Sequence, residues 1–277
     1  MDGSAIDETP LERELIALIR KNFDRPARLV PSDLDPLREI VGDDALDYTL
    51  VIGLFHFIDR IADLLHVAPE ALPKSLRRFE FLRRLTVRIA SLIMSKMDLQ
   101  NRKFNASYEE TLENITPLFE QAMGRKPGDA FAPVKSRPRL IEVFRFILEE
   151  RVIHTSLSRE TLANIHRTVE DALPANIEDV QGFHERPENP VEAFAFVGTR
   201  YAYRTTKDMI DDLRGMNYDD VGILDLAIAV AVANYWARTH RLLSFEPELF
   251  YVGFEDIGFK DVEFKDVRFE DVGSTSD

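Results

Sequence analysis

A chain of 277 residues with 45% apolar content holds enough hydrophobic material for one large domain or for two that each bury a core, and two is the expectation. The absence of cysteine excludes disulfides, thiolate metal sites and every chemistry that needs a sulfur nucleophile. A formal charge of -14, from 49 acidic and 35 basic residues with no basic stripe interleaved with aromatics, argues against nucleic acid as a partner. Residues 1–10 are acidic and polar, and no segment reaches about 18 uninterrupted apolar residues, so the expectation is a cytoplasmic protein with no membrane partner.

In chain order, Leu11, Leu15, Ile16 and Ile19 fall at helical spacing, and Pro26 ends that helix. Ser32 and Asp33 are N-cap residues for a short helix running to Val41. Asp43 to Leu65 contains one glycine, Gly53, and no proline, and its apolar residues cover nearly every face, which predicts a helix buried on most sides. Leu76 to Met97 reads as an amphipathic helix whose arginines, Arg77, Arg78, Arg83, Arg84 and Arg88, make a solvated or intersubunit face. Gly124 to Arg139, with Pro127, Gly128, Pro133 and Pro138, reads as a linker. Beyond it, Leu140–Val152, Arg159–Ala172, Pro190–Arg214 and Asp219–Leu243 all read as helical. Ala227 to Ala233 alternates like a strand, but its alanine content and breaker-poor surroundings predict helix.

An internal repeat appears when Leu46–Leu65 is laid on Leu224–Leu243 without a gap. Leu46 meets Leu224, Asp47 meets Asp225, Arg60 meets Arg238, Leu64-Leu65 meets Leu242-Leu243, and His56 falls on Asn234. In both copies an arginine follows a polar residue by four positions, one turn along the same helix face. Asp-Asp pairs, Asp43-Asp44 and Asp219-Asp220, precede both helices, and Asp47 and Asp225 are read as first-turn residues interacting with the helix dipole.

The stretch Ala193–Leu243, with Phe194-Ala195, Thr199 to Tyr203, Leu213-Arg214, Asp219-Asp220, Ile223 to Leu226, Asn234 and Arg238, resembles the C-terminal part of the alkylhydroperoxidase D-like and carboxymuconolactone decarboxylase superfamily. In that family a helix ending in Asn-x-x-x-Arg follows a short Asp-containing turn. The resemblance covers about fifty residues there and, through the repeat, about twenty in the first half. It implies an all-α protein of two tandem helical domains and a homo-oligomer. The domain boundaries are then 1–123, a linker at 124–139, 140–250, and a non-helical tail at 251–277.

The family's redox members carry Cys-x-x-Cys-x-x-x-His, for which the counterpart here is Ile177-x-x-Val180-x-x-x-His184, with His154 and His166 as alternatives. Both sulfurs are gone, so the family's thiol peroxidase mechanism is excluded. The decarboxylase and lactone-processing branch implies acid–base chemistry instead, without metal or cofactor. His184, beside Glu185 and after Glu178 and Asp179, is then the catalytic proton shuttle. The bland reading of His184 is a surface residue near the Phe183–Pro190 loop. Asn234 and Arg238, with His56 and Arg60, are candidates to orient a substrate carboxylate, or else a buried polar set that fixes domain packing. Two functions follow: a cofactor-independent lyase or isomerase acting on a small organic acid or lactone, or a non-catalytic oligomeric binding or scaffold protein.

In the tail, Phe254, Phe259, Phe264 and Phe269 recur every five residues, as do Asp256, Asp261, Asp266 and Asp271. Four such repeats build one coil of a pentapeptide β-helix, which cannot bury a core alone. The segment is read either as an arm laid on a neighbouring subunit or pocket, or as a soluble tail. No glycine-containing loop with alternating ligands supports calcium there.

Overall fold

A computed structural model describes residues 8–65, 106–149, 155–173 and 186–246. Helix makes up 78% of the described residues, and no strand occurs among them. The Leu76–Met97 helix, His154, the Ile177–His184 motif and the five-residue-period tail lie outside the described residues.

Helix α1 (Pro10–Asp24) starts where local chemistry dictates. Thr9 accepts from the Glu12 amide while the Glu12 carboxylate accepts from the Thr9 amide, and Pro10 occupies the first turn, where it has no hydrogen bond to lose. A 3₁₀ turn (Pro31–Leu34) leads into α2 (Asp35–Val41), which stops at Gly42 in a positive-φ conformation. Then follows α3 (Ala45–Leu64). Helix α4 (Tyr108–Met123), capped by Ser107 and closed by Gly124 in the left-handed region, was not among the expected elements.

The expected linker carries Phe131 and Val134, both fully buried, before α5 (Arg139–Leu148). Helix α6 (Arg159–Ala172) has the expected ends and is capped by Ser158. Pro190–Arg214 is not one helix: α7 (Pro190–Arg200) ends at Tyr201, and after a 3₁₀ turn (Ala202–Arg204) the chain restarts as α8 (Lys207–Gly215) under a Thr206 cap. Asp219 caps α9 (Asp220–Leu243), so the alanine-rich alternating stretch is helical.

Helices α3 and α9, whose sequences align without a gap, pack against each other. Gly53 permits it, because a Cβ there would run into the Tyr235 ring. By length and composition α9 could cross a membrane, yet 78% of its most apolar window is buried inside the fold. It threads both hydrophobic cores. One joins Leu18, Leu37 and Ile52 to Trp236 and to an edge-on cluster of Phe131, Phe144 and Phe245. The other joins Leu64 to α6, α7, α8 and α9. Gly198 on α7 sits in that second core, where a Cβ would lie 2.8 Å from Val230 Cγ1.

Asp47 and Asp225 act at longer range than the helix dipole. Asp47 pairs with Arg139 at the start of α5, and Asp225 Oδ2 accepts from the Ser156 amide (2.8 Å) and hydroxyl (2.6 Å). The aspartate of each repeat thus tethers a segment distant in sequence.

Candidate functional site

The packing of α3 on α9 brings together residues that the repeat keeps apart in sequence. His56 and Arg60, one turn apart on α3, line a cleft of about 670 Å³ whose inner end is reached by Arg238 of α9. Leu15, Ile19 and Phe23 of α1 form one apolar wall, and Val51, Ile52 and Phe55 form the other. Asp59, Asp63, Arg200 and Tyr203 stand at the rim. A cleft of this size, mostly apolar and with a few converging polar groups, has the form of a small-molecule site. His56 stacks on Phe23, with ring centroids 5.9 Å apart and planes inclined by 21°.

The two arginines hold different positions in this charge arrangement. Arg60 reaches across to the end of α7, where Nε donates to the Gly198 carbonyl and Nη2 to the Thr199 carbonyl, both at 2.8 Å. Those are last-turn carbonyls with no intrahelical partner, at the negative end of the helix dipole. Arg238 is only 4% exposed. Its Nη1 donates to the Asn234 carbonyl (2.9 Å) and to Asn234 Oδ1 (3.0 Å). Its enclosed Nε meets no acceptor, and no carboxylate pairs with it among the described residues. Asn234 is itself fully buried, and its amide nitrogen donates to Thr199 Oγ1 and the Val230 carbonyl, both at 3.0 Å. Asn234 therefore holds the guanidinium rather than lining the cleft.

The charges register this imbalance. Burial, then the guanidiniums of Arg238 and Arg60, push the His56 imidazole down to about 3, so it is neutral at physiological pH. Burial lowers Arg60 to about 10 against the opposing pull of Asp63 and Asp59. Burial, then Arg60 and Arg241, lower Arg238 well below the ordinary arginine value, with Glu170 acting in the other direction. Arginine nevertheless keeps its proton in a protein. The inner end of the cleft is short of negative charge.

A second polar cluster lies where α6 meets the end of α9. Glu170 takes Arg241 through both carboxylate oxygens, Oε2 at 2.6 Å and Oε1 at 3.3 Å, and His240 Nε2 lies 3.3 Å from Oε1. Burial raises the Glu170 carboxyl, but its bonds to His240 and Arg241 outweigh that and hold it at about 2. Burial lowers His166 to about 4, with Glu170 opposing and His240 assisting. This cluster pairs Glu170 with Arg241 and His240 and so joins α6 to α9. Among the described residues no three histidine or acidic side chains gather as a metal site.

Of the residues singled out by sequence, His56, Arg60 and Arg238 line one cleft and Asn234 stands behind it, whereas His184 lies outside the described residues. The α1 wall and Glu170 carry no such signal for the cleft, and Thr199 stands in the sequence only as part of the family resemblance. His166 and Glu170, one turn apart on α6, were the only local signal for the second cluster.

Over the described residues, fold and site together define an all-helical protein with an arginine-bearing, apolar-walled cleft between α1, α3 and α9. No family model, no curated protein and no solved structure matches the chain.

Proposed function

We propose that this protein binds a small organic acid in the cleft between α1, α3 and α9, as a cysteine-free, duplicated relative of the alkylhydroperoxidase D-like and carboxymuconolactone decarboxylase superfamily. The observation that carries this reading is Arg238, a buried guanidinium lining an apolar-walled cleft with no carboxylate hydrogen-bonded to it among the described residues. Leaving such a group without a counter-ion costs several kcal/mol, a cost natural sequences bear chiefly at functional sites. The family reading is supported by the α3/α9 repeat and by the Asn234/Arg238 pair.

A lyase or isomerase of the acid–base type is the second reading, with His184 as proton shuttle. Within the cleft, neutral His56 is a poor base because protonating it adds a third cation beside Arg60 and Arg238. A His184→Ala protein that keeps full turnover on an identified substrate refutes the enzymatic reading. A homo-oligomer in the cytoplasm belongs to the same proposal. It is supported by the superfamily resemblance and by Phe23, Leu54, Phe55 and Ile58, each more than half exposed on α1 and α3. Unchanged oligomer mass by light scattering after deletion of residues 249–277 refutes a role for the tail in assembly.

The binding reading is tested by thermal unfolding of the wild type and Arg238→Gln with small organic acids against chloride at matched ionic strength. At least one acid raises the wild-type Tm and leaves the variant unmoved. No stabilisation by any organic acid overturns the reading.

A further inference from the structure

The charge in the cleft is graded, and the gradient selects among organic anions. At the rim, Asp59 and Asp63 are exposed on α3. They outnumber Arg200, whose guanidinium lies over the Phe196 and Tyr201 rings. Arg60 between them is committed to the end of α7. At the inner end stands Arg238, whose Nη1 is held by Asn234 and whose Nε, like Nη2, has no acceptor among the described residues. Because Nε is enclosed, Nη2 is the donor left for an oxygen of an incoming carboxylate. Between rim and inner end the walls are hydrocarbon, from Ile19 and Phe23 on one side to Val51 and Phe55 on the other.

We propose that the cleft takes an apolar monocarboxylate, a single carboxylate on an aromatic or branched hydrocarbon body, carboxylate first onto Arg238. This rests on the organic-acid reading above and narrows it to one ligand class. The anion supplies the one charge that the inner end lacks. Its body replaces water along the α1 and α3 walls, and stacked Phe23 and His56 offer a flat surface to an aromatic ring. A dicarboxylate places its second charge beside Asp59 and Asp63, where like charges repel. Phosphate has no hydrocarbon to bury against the walls, and a neutral alcohol of the same shape leaves Arg238 unbalanced.

The test is calorimetric titration of the full chain with benzoate, succinate, inorganic phosphate and benzyl alcohol at neutral pH and constant ionic strength. Benzoate binds at least about tenfold more tightly than each of the other three, and Arg238→Gln loses that advantage. Asp59→Asn with Asp63→Asn, both at exposed positions, brings succinate closer to benzoate. Should Arg238→Gln fail to fold, Phe23→Asp puts a carboxylate on the exposed apolar wall and abolishes benzoate binding while leaving the fold in place. Succinate or phosphate binding as tightly as benzoate, or benzoate binding that survives Phe23→Asp, overturns the inference. If other organic acids raise the Tm and benzoate does not bind, only this inference falls. If no organic acid does either, the reading beneath it falls too.

Discussion

Mild acid destabilises this fold through two buried histidines, in a pH window where ordinary carboxylates do not yet titrate. His56 falls from an ordinary 6.5 to about 3 and His166 from 6.5 to about 4. Both are neutral in the folded protein throughout the window, whereas in the unfolded chain each takes up a proton as the pH drops through 6.5. The unfolded state therefore binds more protons, and folding stability falls as pH falls. The loss accrues from about 6.5 downward and levels off only below the folded values near 3 and 4. Between about pH 7.5 and pH 5 each histidine contributes about 2 kcal/mol of loss, from about 1.4 kcal/mol per unit of proton linkage. Two of them remove about 4 kcal/mol, a large fraction of the 5–15 kcal/mol typical of a domain. Urea unfolding at a series of pH values measures this directly. His56→Gln and His166→Gln each lower the slope over that window, and the double variant lowers it further than either. The reasoning about burial and neighbouring guanidiniums is refuted for either histidine if its glutamine variant keeps the wild-type slope.

Gly53→Ala forces a methyl group into the Tyr235 ring and separates α3 from α9, at a cost of about 1–3 kcal/mol, read as a lower Tm. Glu170→Gln breaks the carboxylate grip on Arg241 and His240 and costs about 2 kcal/mol after allowance for partial exposure, read from the urea midpoint at neutral pH. Asn234→Asp sets a carboxylate against Arg238 Nη1 in nearly the same volume and so supplies the missing counter-charge from within. Benzoate affinity then drops at least about tenfold, with some loss of stability because the aspartate cannot donate to Thr199 and Val230, and unchanged affinity shows that Arg238 is not the anchor.

Local chemistry made several elements legible and left others hidden. Pro26 after α1, Ser158 before α6 and Asp219 before α9 mark ends that require no knowledge of the fold. Helix α4 had comparable signals, a Ser107 cap, Ile115, Phe119 and Ala122 on one side, and Gly124 at its end, but Pro117 interrupts the pattern. The division of α7 from α8 was beyond local reading, because no glycine or proline stands between Arg200 and Lys207. Part of its cause is distant: Arg60, 138 residues from Gly198, takes the carbonyls that would have continued the helix. For the site, the repeat showed that His56, Arg60, Asn234 and Arg238 share a pattern, but nothing in the sequence brought the two copies face to face. Gly53 against Tyr235 does that, and the α1 wall has no counterpart in the repeat at all.

Because the two copies face each other, equivalent residues meet different surroundings, and that difference builds the site. Arg60 finds the end of a helix and is consumed by it. Arg238 points to the same cleft from the core, where the residue one turn earlier decides its orientation. An asparagine there can donate to Thr199 and Val230 while accepting from Arg238, and so fixes the guanidinium through Nη1. A histidine at that position offers one donor and one acceptor at most and cannot satisfy all three partners. In the first copy the demand is reversed: His56 lies against the apolar wall, stacked on Phe23, where a flat neutral ring buries surface that an amide would leave hydrated. The His56/Asn234 difference is therefore the physical condition for one cleft with an apolar side and a charged end. Two identical copies would have given either two consumed arginines or two unbalanced ones.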